Sequence, residues 1–592
     1  MTDLVRDRLP AEPAPAGRAG GAARRRRRGA PGRLPAVLTA AALLTVLLVA
    51  VLGPSATVLT LGGDTAAAPP WHLDAHPSAW LVVPLTAAAL VLGGVAVLVG
   101  LVDVARGWTP RTGRWVAGGT AAVLATVLVP PASTGDPLIY AAYGRLVALG
   151  ADPYVLTPRA LILAGDPVGR ATEGPWQQVT SVYGPLATGE QALASTLGGT
   201  STALTVFWMQ LANALGWLVA GCLLLRLARH DRAVRARVLL FWWTNPLLLW
   251  AVLTGGHNDA VAAAFLAAAV VLLGRSALLS GLALGTAGTV KLIDVLLGAG
   301  LLWAVRRQPR AALALVGGAL AVAGTAYAPL LPEALAQTSR ARGYLSSSSP
   351  WQFARGVVGW FTGTGGNVNS TLAVLSWVSV LALVVLIARQ VPAPLPRLPH
   401  LPVAAPAGRR GRPAGRLTGR LSSRVPSRVP GRLLARVSDP GRGGRAAGPD
   451  RIAEAARASF VVGLAWLLGG YYTLPWYDMA AWIPLCLLAA SGLDAVLLTR
   501  TTVICLAYVA TRSLPPGARL PSALASAQLH VEHDLSPAVH LLLIAALVVR
   551  LTRPGRWSAL AARFPTLALL GPRTGRSTAG GALSSTSARS LP

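Results

Sequence analysis

The sequence predicts an all-α polytopic membrane protein, and three observations carry that prediction. Of 592 residues, 53% are hydrophobic and 13% are charged. Apolar runs recur that are long enough to cross a hydrocarbon core, which takes about 20 residues. Arginine collects between those runs and at the two ends of the chain. The formal net charge of +31 is therefore an orientation signal, because arginine in short loops and tails marks the cytoplasmic side. The chain has a single lysine, Lys291, and this Arg-for-Lys bias fits a GC-rich coding sequence. Cys222, Cys486 and Cys505 lie in apolar segments and read as core residues, with no disulfide framework or metal site implied.

Taken in order, residues 1–34 are rich in Pro, Ala, Gly and Arg and read as a disordered cytoplasmic tail. The first apolar stretch, 34–61, is long and lacks a small-residue cleavage site, so a retained helix is expected rather than a signal peptide. A membrane core over 35–389 follows, with expected spans near 80–102, 115–131, 203–225, 238–254, 260–273, 311–329 and 370–388. Residues 390–457 change to Pro, Gly, Ser and regularly spaced Arg. They read as a disordered cytoplasmic linker attracted to anionic lipid. Nucleic-acid binding is the alternative for that segment, and the aromatic interleaving it needs is missing. C-terminal helices over 458–551 complete the core, with expected spans at 458–470, 479–498 and 537–549. The second returns to Arg500, and His530, Glu532, His533 and Asp534 fall in an outer loop. Residues 552–592 form a second cytoplasmic tail. The total is about 11–14 transmembrane or re-entrant helices.

Residues 277–305 form one apolar stretch with Arg275 before it and Arg306, Arg307 and Arg310 after it. One spanning helix cannot keep both ends cytoplasmic. Two shorter helices meeting near Thr289, Val290 and Lys291 can, and the nearby glycines permit the break. In the resulting topology nearly all the arginine lies on one side and the polar, aromatic-rich loops lie on the other.

Four outer clusters stand out: Asp136/Tyr140/Arg145 with Asp152 and Tyr154 close behind, the Tyr183–Gly184–Pro185 turn, His257–Asn258–Asp259, and the run Tyr471–Asp478 that holds Trp476, Tyr477 and Asp478. Asp136 is expected at the N-cap of a helix over 137–149, with Pro137 at the first helical position. A capped surface helix is the bland alternative.

The stretches GDPLIYAAYGRLVALGADPY, YGPL, NPLLLWAVLTGGHNDA, VKL, SPW and PWYDMAAWIPL together resemble the polyprenol-phosphomannose-dependent α-1,6-mannosyltransferases of actinobacteria. These are integral-membrane glycosyltransferases of the GT-C fold. The resemblance covers about 115–500 without the linker. The linker and the 530–534 cluster have no counterpart in it. It implies extension of a lipoglycan mannan backbone outside the cytoplasmic membrane, by a single inverting displacement from a polyprenyl-phosphate mannose.

That chemistry needs one base for the acceptor hydroxyl and cationic groups for the departing lipid phosphate, where a glycosidase would face two carboxylates. Asp136 is the expected base, at the matching motif position, with Asp64 and Asp74 of the preceding outer loop as competitors. His72, Asp74 and His76 alternate, but a Pro-rich loop without helical spacing reads as solvated rather than metal-binding. His257, Asn258 and Asp259 fit either a substrate pocket or polar capping. Lys291, costly to bury alone, either holds the lipid phosphate or pairs with Asp294. Trp351, Trp476 and Tyr477 either stack on sugars or anchor at the interface. Tyr140, Arg145, Asp152, Tyr154, Tyr183 and Asp478 complete the expected substrate-binding set. The expected partners are a polyprenyl-phosphate sugar, a mannan acceptor and the bilayer, with no nucleic acid. No cofactor is expected, and a divalent-metal requirement stays open. The rival function is a transporter or flippase of a lipid-linked glycan, which internal repeats would favour; none is visible.

Overall fold

The computed structural model describes residues 32–61, 68–333, 344–362, 367–391, 449–509 and 519–552. The two tails, Asp64 and most of the Arg-rich linker lie outside them. All regular elements among the described residues are helices. Eight are long and apolar enough to cross a membrane: Arg33–Leu52, Ala79–Ala105, Thr202–His230, Arg232–Leu253, Pro309–Glu333, Val368–Ala388, Arg451–Gly469 and Ser522–Thr552. Three shorter apolar helices, Asp259–Leu273, Ala277–Val290 and Leu292–Val305, pack among them. The protein is an all-α polytopic membrane protein.

Several expected spans are cut by residues that cannot continue a helix. The first ends at Leu52, not near 61, because Gly53 takes φ 98° and Pro54 follows. In the 238–254 span, Thr244 and Asn245 leave the helix before Pro246, and Asn245 accepts from Leu247 N–H. π-turns over Leu239–Trp243 and Leu249–Leu253 flank that break. The expected 479–498 span is two helices, Met479–Leu485 and Gly492–Leu506, the first carrying Pro484 near its end. Arg500 is accordingly not a loop residue at a span's end. It lies within the second helix, fully buried.

Two segments are more helical than expected. Pro449–Gly469 begins nine residues early, inside the expected linker. Its Arg457 donates to the carbonyls of Ala388 and Val391. The expected outer loop at 530–534 is instead a π-turn inside a helical run from Ser522 to Thr552. His530 and Asp534 face each other one turn apart at 2.8 Å, a spacing that supports helix rather than loop.

The break near Lys291 is present. The helix Ala277–Val290 stops, Lys291 is extended at φ −150° and ψ 118°, and a 3-10 turn over Leu292–Leu297 leads into Gly298–Val305. The polar segment between Thr134 and Gly199 packs its own helices Asp136–Ala148 and Pro185–Gly198 together. It also touches the Lys291 break, where Gly184 N–H donates to the Val290 carbonyl at 3.0 Å.

Candidate active site

Asp136 opens the helix Asp136–Ala148 as its first residue, with Gly135 at the cap position. This differs by one residue from the sequence expectation. Thr134 Oγ1 donates to the Asp136 carboxylate Oδ1 at 3.1 Å and Tyr140 Oη to Oδ2 at 3.2 Å. The helix N-terminus favours the ionised acid. Tyr140 sits one turn on, fully buried, and its ring meets Tyr183 edge-on at 4.8 Å. Burial holds the phenols of Tyr140, Tyr183 and Tyr477 well above their usual range, so all three stay neutral.

The Gly255–Asp259 turn reaches this acid from the other side. Gly256 takes φ +63°, and a Cβ there would fall 2.8 Å from Pro137 Cγ, so glycine is needed for both the backbone and the close approach. His257 Nδ1 lies 3.0 Å from Tyr140 Oη and 3.7 Å from Asp136 Oδ2. Its ring stacks on Trp476 at 3.7 Å. Burial, and then the nearby Lys291 charge, hold His257 well below the usual histidine range, so the ring is neutral.

Asp259 Oδ2 accepts from Lys291 Nζ at 2.7 Å. The lysine partner is thus Asp259 and not Asp294, the partner weighed from sequence. A helix break explains this: residues 291 and 294 do not share a helical face when the backbone at 291 is extended. Lys291 Nζ also lies over the Tyr477 ring at 4.5 Å. Tyr477 borders a small pocket lined by Ile293, Leu296, Leu297, Trp466 and Ala480 together with Asp294.

The tertiary structure therefore brings together Asp136, Tyr140, Tyr183, His257, Asn258, Asp259, Lys291, Trp476 and Tyr477. Other expected residues have different surroundings. Arg145, nine residues beyond Asp136, falls on the opposite helix face. It binds Asp166 at 2.8 Å and the Gly199 carbonyl at 3.3 Å. Asp152 accepts from the Tyr154 N–H in a local turn, and Tyr154 Oη meets the Tyr183 carbonyl and Thr188. Trp351 Nε1 donates to the Gly469 carbonyl at 2.7 Å. Asp478 is buried and bound by Arg500 and by Thr501 Oγ1. Asp74 is exposed, at φ 53°, beside His72 and His76. No metal-holding group of three or more His, Cys, Asp or Glu side chains occurs among the described residues.

Two neighbours escaped the sequence reading. Thr134, which orients Asp136, lay just outside the acid-Pro pattern. The Glu173 carboxylate lies against Gly135, where a Cβ would meet its Oε1. Nothing in the local pattern TEGPW marks it, since 38 positions separate it from Gly135.

Residues 40–307 match the family described as alpha-(1->6)-mannopyranosyltransferase, N-terminal domain. Over that stretch the chain is similar to this family. The matched stretch contains Asp136, Tyr140, Tyr183, His257, Asp259 and Lys291, whereas Trp476 and Tyr477 lie beyond it. Two relatives from Corynebacterium glutamicum are similar to parts of the chain. One, named alpha-(1->6)-mannopyranosyltransferase B, is 30% identical over 177 residues, which is 30% of this chain and 26% of the relative. The other, named alpha-(1->6)-mannopyranosyltransferase A, is 26% identical over 164 residues, 28% of this chain and 33% of the relative. The chain thus matches between a quarter and a third of the length of these relatives. No solved structure matches.

Proposed function

We propose that the protein is a membrane mannosyltransferase that moves mannose from a polyprenyl-phosphate donor to an α-1,6-mannan or lipoglycan acceptor. The site works outside the cytoplasmic membrane, with the N-terminus and the 390–457 linker on the cytoplasmic side. The observation that carries the reading is the placement of one oriented acid, Asp136, in the same buried cluster as the sole lysine. The names of the two relatives supply the sugar.

In this reading Asp136 takes the proton of the acceptor hydroxyl as that oxygen attacks the anomeric carbon. The bond from that carbon to the phosphate oxygen breaks, and polyprenyl phosphate leaves with the electron pair. Inversion follows from the single displacement. Lys291, held by Asp259, faces the growing phosphate charge. No cofactor enters these steps.

The test is transfer of radiolabelled mannose from polyprenyl-phosphate mannose to a short α-1,6-mannoside, using membranes with the wild type or Asp136→Asn at equal expression. Product from the wild type and none from the variant supports the class and the base together. Full activity in the variant moves the base to another acid. No transfer by the wild type, while other lipid-linked sugars are used, removes mannose as the substrate.

A further inference from the structure

Three consecutive side chains at the Gly256 turn are almost wholly buried: His257, Asn258 and Asp259 are 0%, 1% and 1% exposed. They open the 15-residue helix Asp259–Leu273. Each leaves polar atoms without a hydrogen-bond partner among the described residues. These are His257 Nε2, both Asn258 amide atoms and Asp259 Oδ1. Leaving such a group unpaired is destabilising, and buried polar groups are as a rule satisfied. Four such atoms on successive residues mark a place built for a ligand.

Their hydrogen-bonding sense identifies the ligand. Tyr140 Oη has one proton and three neighbours, Asp136 Oδ2 at 3.2 Å, His257 Nδ1 at 3.0 Å and the Tyr183 hydroxyl. An ionised carboxylate can only accept, so the phenol proton goes to Asp136. The phenol oxygen then accepts from His257 Nδ1–H. A neutral ring protonated at Nδ1 presents a lone pair at Nε2. Asp259 Oδ1 is a further acceptor, beside the Oδ2 that takes the Lys291 ammonium at 2.7 Å. Asn258 adds one acceptor and one amide donor. The unpartnered set is therefore three acceptors and one amide. Phosphate oxygens, which accept, would meet this set poorly. Hydroxyl groups, which donate and accept, match it.

The turn also lies where a sugar would have to sit. His257 is tied through Tyr140 to the acid, and Asp259 is tied to the lysine, so Asn258 stands between base and cation in the chain. We propose that His257, Asn258 and Asp259 form a hydroxyl-reading subsite that recognises the transferred hexose, while Lys291 alone serves the phosphate. This rests on the mannosyltransferase reading and divides its site into two chemically distinct parts.

The test uses the full chain in detergent and reads the shift in unfolding temperature with two separate probes. One is methyl α-mannoside at high millimolar concentration, and the other is undecaprenyl phosphate. The wild type is expected to be raised by both. Asn258→Ala is expected to lose the mannoside shift and keep the lipid-phosphate shift; Lys291→Gln, which also leaves Asp259 without its cation, is expected to lose the lipid-phosphate shift. Asn258→Asp, close in shape, covers the case in which the alanine variant does not fold, and it too is expected to lose most of the mannoside shift. A mannoside shift that survives both Asn258 variants overturns the subsite, as does its absence in the wild type. So does a parallel loss of both shifts in Asn258→Asp. The transfer assay scores the enzyme separately: mannoside binding that depends on Asn258, with no transfer from any lipid-linked sugar, upholds the subsite and overturns the enzymatic reading.

Discussion

Lys291 Nζ lies 2.7 Å from Asp259 Oδ2, joining two helix ends that are 32 positions apart in sequence. Neither residue could be buried alone. Removing one partner of a buried ion pair costs about 3–5 kcal/mol, because the other charge is left uncompensated. Lys291→Met should therefore lower the unfolding temperature sharply, and Asp259→Asn combined with Lys291→Met should recover most of it. Transfer should stay lost in the double variant. Wild-type transfer by a folded double variant would reduce the pair to a structural role.

Tyr140 positions Asp136 rather than reacting itself. Tyr140→Phe keeps the ring that packs on Tyr183 and removes the bonds to Asp136 Oδ2 and His257 Nδ1. Turnover is expected to fall about tenfold, equivalent to about 1.4 kcal/mol of barrier, with the donor KM little changed. Steady-state kinetics separate the two parameters. A raised KM at constant turnover would place Tyr140 in substrate binding instead.

His257 should make stability depend on pH in one direction. Burial holds its folded-state pKa below the ordinary 6.5, so the unfolded chain takes up a proton first as pH falls. The stabilisation is complete above 6.5 and is lost progressively below it. Unfolding temperatures of the wild type and His257→Gln, measured on both sides of that value, should show the wild type losing more on acidification. Parallel curves would mean that the ring does not titrate differently in the two states.

Glu190, on the helix Pro185–Gly198, should act in the opposite sense. Burial pushes its carboxyl up to about 8 from an ordinary 4.5, and its Oε1 has no partner among the described residues. The folded state keeps this proton after the unfolded chain has released it, so stability falls between about 4.5 and about 8. Glu190→Gln keeps the shape and removes the titration. It should match the wild type below that window and unfold at a higher temperature above it. A variant less stable than the wild type at every pH would show that the carboxylate has a needed partner.

Much of the site was visible as separate pieces. Asp136, the His257–Asp259 turn, Lys291 and the Trp476–Tyr477 pair each carry a local sign: polar residues at the edge of an apolar run, or a lone charge within one. Asp478 and Arg145 carry the same sign and are engaged elsewhere, by Arg500 and Thr501 and by Asp166. A charge near an apolar run must find a partner, but local sequence does not say whether that partner is a ligand or another side chain. Glu173 and Thr134 show the converse, since neither stands out, yet Thr134 donates to the acid and Glu173 lies against the Gly135 before it.

The sequence by itself determined the class, most of the membrane helices and the break at Lys291. These follow from apolar length, arginine placement and the rule that helix ends must suit their surroundings, all of which act along the chain. Only the tertiary structure decided that Lys291 pairs with Asp259 rather than Asp294, that Arg500 is buried, and that 530–534 is helical. These depend on which helix lies beside which. Burial removes water as a partner for polar groups and leaves each one to the nearest complementary side chain, however distant in sequence.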